Sequence, residues 1–421
     1  MNFFAKYKKI FIIIGFLAVI AIIAYFIWNL FFQTTTPGAT TSPNATGTIN
    51  GLPAAGNGSA TGSDQTGNGA LPNGNGQTST PIPGQGAPNP NTPSNTATGG
   101  LTKTTVLNQT PSLAPILNKS GQVQYYDQSD GKFYKINSDG TKTALSDQVF
   151  HSVQNVTWAP DTSKAVLEYP DGTKILYDFT TQKQSTLPAH WKDFSFSPDS
   201  TKLISKSIGV DEENRWLVVS NDDGSKATAL EAIGTQDSTV YPSWSPNNQI
   251  VALYTEGIDL NRQNVYFVGL NGENFKSTIV EGRGLEYQWS PTGDKILYSV
   301  YNTSTNMNPS LWIVDANTNT IGDNRGSINI QTWANKCTFA SNTEVYCAVP
   351  DQLPAGSGLD PELGDKTKDS LYKIDLTTGS QKLIAVPDGS YNISQLMVPS
   401  GQDYLYFTDK FSGSIYKVNL K

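Results

Sequence analysis

The sequence predicts an all-β fold, a seven-bladed β-propeller behind one N-terminal transmembrane helix and a disordered linker, with six blades as the alternative count. Three observations carry this expectation. An uncharged apolar run fills 10–32, a tract of Thr, Ser, Pro, Gly, Asn, Gln and Ala fills 34–100, and one three-part β unit then recurs seven times to the C-terminus.

The apolar run spans roughly 34 Å as a helix at about 1.5 Å per residue, enough to cross the hydrocarbon core of a bilayer. A cleaved signal peptide would have an apolar stretch of only about 7–15 residues and a small-residue cleavage site, and Phe31-Phe32-Gln33 supplies no such site. Lys6, Lys8 and Lys9 precede the run and no basic residue follows until Lys103. The positive-inside rule therefore places the N-terminus in the cytoplasm and everything after Gln33 outside it. The expected protein is a single-pass, signal-anchored component of a bacterial-type plasma membrane. Its expected domains are 1–33 (cytoplasmic stub and helix), 34–100 (linker) and 101–421 (extracytoplasmic propeller).

Within the linker Asp64 is the only charge, and such a composition buries too little apolar surface to offset the entropy of ordering. Its random-coil reach, about 5–6 Å times the square root of its length, is on the order of 45 Å. The sequons Asn44-Ala45-Thr46 and Asn57-Gly58-Ser59 are chance products of so Asn- and Thr-rich a tract. Nearly all remaining charge lies in 101–421, which carries about −9 at neutral pH. Nucleic acid is excluded as a partner on that balance, because binding it needs a basic stripe.

Each repeat opens with a strand ending in a turn: Ile116-Leu117-Asn118-Lys119, Thr157-Trp158-Ala159-Pro160-Asp161, Ser195-Phe196-Ser197-Pro198-Asp199, Ser243-Trp244-Ser245-Pro246-Asn247, Gln288-Trp289-Ser290-Pro291-Thr292, Thr338-Phe339-Ala340-Ser341-Asn342 and Leu396-Met397-Val398-Pro399-Ser400. Equivalent positions fall 38 to 58 residues apart, as four-stranded blades with loop insertions would. The third strand repeats as well, with apolar-Tyr-Lys-apolar at Phe133–Ile136, Leu371–Ile374 and Ile415–Val418. Turns such as Ser138-Asp139-Gly140 and Asn271-Gly272 supply the positive φ of a tight hairpin into the fourth strand. The seventh unit has no fourth strand before Lys421, so Thr102–Leu107 is expected to pair antiparallel with Ile415–Leu420 and close the ring.

The Trp/Phe-Ser-Pro-Asp opening, followed by Lys-Leu-Ile or Lys-Ile-Leu, resembles the repeat of TolB-like β-propellers over about 102–421, most closely at Trp158, Phe196, Trp244 and Trp289. Many propellers of that kind have six blades, so the count of seven comes from this chain's own repeats. The same repeats occur in front of serine-peptidase domains, for which the residues after the seventh unit leave no room.

Catalytic chemistry finds little support. The two histidines, His151 and His190, belong to no Ser/His/Asp constellation and no His-x-x-x-His pair. Arg215, Arg262, Arg283 and Arg325 are the only arginines, and the Ser-x-Asp-x-Gly-x-x-Trp box of sialidase blades is missing. No catalytic residue, metal or cofactor is assigned, while a pair of carboxylates for glycoside hydrolysis stays open. Cys337 and Cys347 flank the turn at 341–343 in a register that sets them opposite each other. They are expected to form a cross-strand disulfide in an exported domain, the alternative being two buried thiols.

In a propeller the loops between second and third strands emerge on the face that also carries the inter-blade connections. The insertions Ile208–Asn214, Glu256–Gln263, Tyr301–Pro309 and Pro350–Lys368 are of this kind and enlarge that face. The candidate binding residues there and at the channel mouth are His151, His190, Trp191, Glu212, Arg215, Tyr241, Arg262, Arg283, Asp360, Glu362 and Tyr391. The expected function is non-catalytic binding or scaffolding of a protein or cell-envelope polymer. The alternative is a glycan- or peptide-acting hydrolase with its site at the channel mouth.

Overall fold

Each of the seven repeats forms an antiparallel sheet of its own, within residues 92–421, the part of the chain that the computed structural model describes. The innermost strands are Ser112–Leu117, Asn155–Trp158, Trp191–Phe196, Val240–Pro242, Arg283–Trp289, Cys337–Phe339 and Ile393–Met397, for blades one to seven. Apolar side chains do not collect in one central core. They form seven clusters, each between two neighbouring blades, including one in which Met397, Tyr406 and Ile415 of blade seven meet Val123, Tyr125 and Ile136 of blade one. Seven interfaces for seven blades make a closed ring, which leaves no open sheet face to water.

The Ser-Pro-Asp signature has a structural purpose. In blade three the Ser197 hydroxyl donates to Asp199 Oδ1 at 2.5 Å and accepts from the Lys202 amide at 2.9 Å, which fixes the turn into the second strand. Ser245 and Ser290 do the same in blades four and five. The preceding aromatic links the blades: the Trp289 indole donates to Ser243 Oγ at 2.9 Å, and the Trp158 indole to the Ala114 carbonyl at 2.8 Å.

The N-terminal segment closes the ring against the expected strand and in the register that pairing implies, but over a shorter stretch. Thr105–Asn108 forms the outer strand of blade seven, antiparallel to Ile415–Asn419, with Thr105 opposite Lys417 and Asn108 opposite Ile415. Leu101–Thr102 instead adds in parallel to the outer strand of blade six, Gln381–Pro387. One segment therefore bridges two blades, because the Thr104 hydroxyl and amide both bond Asp388 where the chain crosses over. The chain also joins the domain earlier than composition marks. Ala97 N donates to Asn419 O at 2.9 Å and Gly99 N to Ile384 O at 2.8 Å, since backbone pairing needs no apolar side chain.

The expected insertion at 256–263 is not a loose loop. It extends the hairpin of strands Ala252–Asp259 and Arg262–Val268, whose pairing runs to Asp259 opposite Arg262. Cys337 lies opposite Cys347 in the ladder and the two sulfurs are bonded. Among the described residues no helix is long and apolar enough to cross a membrane. The apolar run 10–32 and the linker up to residue 91 lie outside the described residues.

Candidate functional site

Because successive strands of every blade run antiparallel, each loop from second to third strand emerges beside the inter-blade connections. The longest, between Glu344–Pro350 and Asp369–Asp375, carries a 3-10 turn at Pro361–Lys366, whose N-cap Asp360 accepts from the Glu362 amide at 3.3 Å. This loop lies on Trp333, which is itself buried just ahead of the innermost strand of blade six. Gly364 allows the contact, since a Cβ there would stand 2.8 Å from Trp333 Cη2.

Loop and ring together enclose a cavity of about 140 Å³ between blades five, six and seven, walled by Glu286, Trp333, Lys336, Asp365, Asn392 and Lys410 among others. Asn335 and Ser394 belong to this cavity and also to a larger opening of about 570 Å³ at the channel, which includes Gln288 and Gln395. The cavity therefore adjoins the channel across these two residues.

Lys336 is its structural hinge-pin. Nζ donates to both oxygens of Asp369, at 3.0 and 2.8 Å, and to Asn392 Oδ1 at 3.0 Å. Asp369 Oδ2 also accepts the Ile393 amide at 2.5 Å, and the Asn392 side-chain amide donates to the Asp365 carbonyl at 3.1 Å. Blade six, blade seven and the long loop are thus tied at one point. Burial pushes the lysine pKa down and the aspartate pKa up, and the attraction between them opposes both shifts. At the rim Asp365 is paired with Lys410.

Glu286 is the unusual group. A bulge with Gly284 at φ 64° breaks the ladder between Arg283 and Glu286 and re-aims the strand there. The Glu286 Oε2 atom is buried and has no hydrogen-bond partner. Loss of solvent raises its pKa, with a backbone hydrogen bond from Asn335 acting the other way. The fold thus favours the protonated acid, so the stability Glu286 contributes is full below the ordinary carboxyl range and is lost as pH rises through the raised value. Glu286→Gln, uncharged throughout, is expected to match the parent's melting temperature at pH 4 and exceed it by about 1–3 °C at pH 8. Scanning fluorimetry across that range checks it, and parallel profiles for the two proteins would contradict the raised pKa.

None of the eleven residues singled out from sequence lines this cavity. Asp360 and Glu362 are exposed on the loop that walls it, and Arg283 is three positions before Glu286, with Nη1 donating to the Asp259 carbonyl at 3.2 Å. Arg262 pairs with Asp259 at 2.7 Å, and Arg215 Nε holds its own loop through the Gly209 carbonyl at 3.1 Å, near exposed Glu212. Tyr241 meets Tyr287 edge-on at 6.4 Å, and Tyr391 lies 4.6 Å from the Tyr416 ring, its hydroxyl 3.0 Å from that of Thr104. His151 and His190 are exposed in inter-blade connections. Trp191 is a core side chain rather than a surface one, because it opens an innermost strand whose register turns it into the interface of blades two and three. Among the described residues no group of three or more His, Cys, Asp and Glu converges to hold a metal ion.

The cavity residues had faint signals in the sequence. The long insertion at 350–368 pointed to the right blade, and Lys336 is a lone charge in an otherwise uncharged stretch, Trp333-Ala334-Asn335-Lys336-Cys337-Thr338-Phe339. Nothing local marks Glu286.

No family model matches the sequence, and no curated protein matches it. Solved structures do resemble it in fold. An oligogalacturonate lyase from Vibrio parahaemolyticus superposes with a TM-score of 0.50 at 12% identity, over 76% of this chain and 93% of its own. The β-propeller domain of Cps50 (Swd1) from Myceliophteria thermophila gives 0.50 at 12% identity, over 76% and 100%. A prolyl endopeptidase gives 0.50 at 14% identity over 75% of this chain, which spans 49% of that enzyme. At such identities the likeness is one of propeller fold.

Proposed function

We propose that this chain is a non-catalytic recognition propeller of the cell envelope, held at the outer side of the plasma membrane by its N-terminal apolar segment, that binds a protein or envelope polymer through its loop-rich face. One observation carries it. Among the described residues the four most exposed large apolar side chains, Val210 (96%), Phe411 (67%), Leu359 (65%) and Leu260 (62%), all sit on loops or turns between second and third strands, hence on one face. Random scatter would put them on either face, and concentration of apolar tips among polar neighbours is the mark of an interaction surface. The bonded Cys337–Cys347 pair supports an oxidising compartment.

The test is a photo-cross-linking residue placed singly in the full-length protein in intact cells. Positions 210, 260 and 359 are expected to give a discrete cross-linked species, and positions 139 and 225, in turns on the opposite face, none. The same species from both faces, or none from the loop face, would overturn the proposal.

A hydrolase is the second reading, and one observation favours it: Glu286 and Asp365 line the same cavity in contrasting environments, one carboxyl buried and unpartnered, the other ion-paired. Paired carboxyls held apart in this way are the raw material of acid–base chemistry. Release of reducing ends or amines from envelope polymers, abolished in Glu286→Gln, would establish it.

A further inference from the structure

We propose that the cavity between blades five, six and seven accepts one pyranose ring of a neutral oligosaccharide whose next residues lie across the channel mouth. This rests on the loop face being a recognition surface and names the chemical class of its ligand.

Size comes first. A cavity of about 140 Å³ is close to the roughly 150 Å³ that accommodates a benzene ring in an engineered protein core, so the ring of one sugar enters while its outer substituents stay in the opening. The walls are mixed: Trp333, Pro361 and Gly364 offer apolar surface, and the polar groups converge from the other blades. A sugar ring has the same division, with C–H faces and hydroxyl edges.

Charge then narrows the class. Two carboxyl groups, Glu286 and Asp365, and two ammonium groups, Lys336 and Lys410, line the space. A phosphate or sulfate would meet the acids, and a basic side chain would meet the lysines. Hydroxyls are indifferent to this balance, since they can donate to a carboxyl oxygen and accept from Lys410, whereas the three N–H groups of Lys336 are already taken by Asp369 and Asn392. Glu286 Oε2, buried and without a partner, needs a partner that brings no charge of its own. A ligand hydroxyl serves whether that carboxyl is protonated or not, whereas a phenylalanine side chain would fill the space and leave the oxygen orphaned, at a cost of about 1–3 kcal/mol.

Adjacency sets the length. Asn335 and Ser394 line both the cavity and the channel opening, and Gln288 and Gln395 lie beyond them. A chain leaving the cavity therefore crosses amide-bearing surface, which favours an oligosaccharide over a free monosaccharide.

The experiment is calorimetric titration of the full-length protein, in a detergent with no sugar headgroup, with chitotriose, cellotriose and maltotriose. At least one is expected to bind and to quench tryptophan fluorescence. Glu286→Gln and Lys410→Met should each weaken it by about tenfold or more. Lys410 is exposed, so its loss leaves the fold intact even if the first variant alters stability. Three results would overturn the proposal: no binding of any trisaccharide, binding indifferent to both variants, or preferential binding of an aromatic tripeptide at the same site. Failure here with loop-face cross-links intact removes only the sugar assignment. Failure of both removes the recognition surface itself.

Discussion

Deleting residues 101–108 is expected to destabilise the whole propeller, while deleting 40–90 leaves its melting temperature unchanged. The first deletion removes the outer strand of blade seven and the parallel strand on blade six together. Also lost are the bond from Asp388 N to Thr102 O at 3.0 Å and the buried Thr102 and Asn108 side chains. At about 1 kcal/mol for each of roughly half a dozen backbone bonds, the loss is about 5 kcal/mol or more. Two blades would also gain bare edges. Because each blade packs on both neighbours around the closed ring, the damage at blades six and seven should spread as one lowered transition. Calorimetry of the two deletions decides it, and an unaltered transition after loss of 101–108 would show that blade seven closes without this segment.

The second large effect is at Lys336. Replacing it with Met leaves Asp369 buried and charged without its partner, which typically costs about 3–5 kcal/mol, and Asp369→Asn should cost about as much by orphaning the ammonium group. The double variant Lys336→Met/Asp369→Asn should lose clearly less than the sum, since no lone charge remains. The carboxamide oxygen that Asp369→Asn introduces would still accept the Ile393 amide, as Asp369 Oδ2 now does at 2.5 Å. Denaturant unfolding of the four proteins forms the cycle. Strict additivity would mean that the pair is not coupled and that Lys336 acts through packing on Trp333, whose ring centroid lies 5.7 Å from Nζ. The same variants should disorder the 361–366 turn, because Asn392 joins Lys336 to the Asp365 carbonyl.

The sequence marks these two sites to different degrees. Ring closure was legible because repetition makes an absence visible: six units have a fourth strand and the seventh does not. Only its extent was not legible, since Thr102 and Thr105 are equally good strand residues, and the crossover between blades is decided by Asp388, some 280 residues away. In the sequence Asp360 and Glu362 stood out only as candidate binding residues of the long loop. In the structure Asp360 caps a turn and Asp365 pairs with Lys410, so only Glu362 is plainly free of such a role.

The sequence by itself determined the seven units, the order of strands within each, the Cys337–Cys347 register and the face that carries the long loops. All of these follow from local periodicity and turn chemistry repeated along the chain, which act within a few tens of residues. Only the tertiary structure decided the cavity. Glu286, Lys336, Asp369, Asn392 and Lys410 come from three blades. What distinguishes each from the chain's many other charged and amide residues is burial and the identity of its neighbour, and those exist only once the ring has closed.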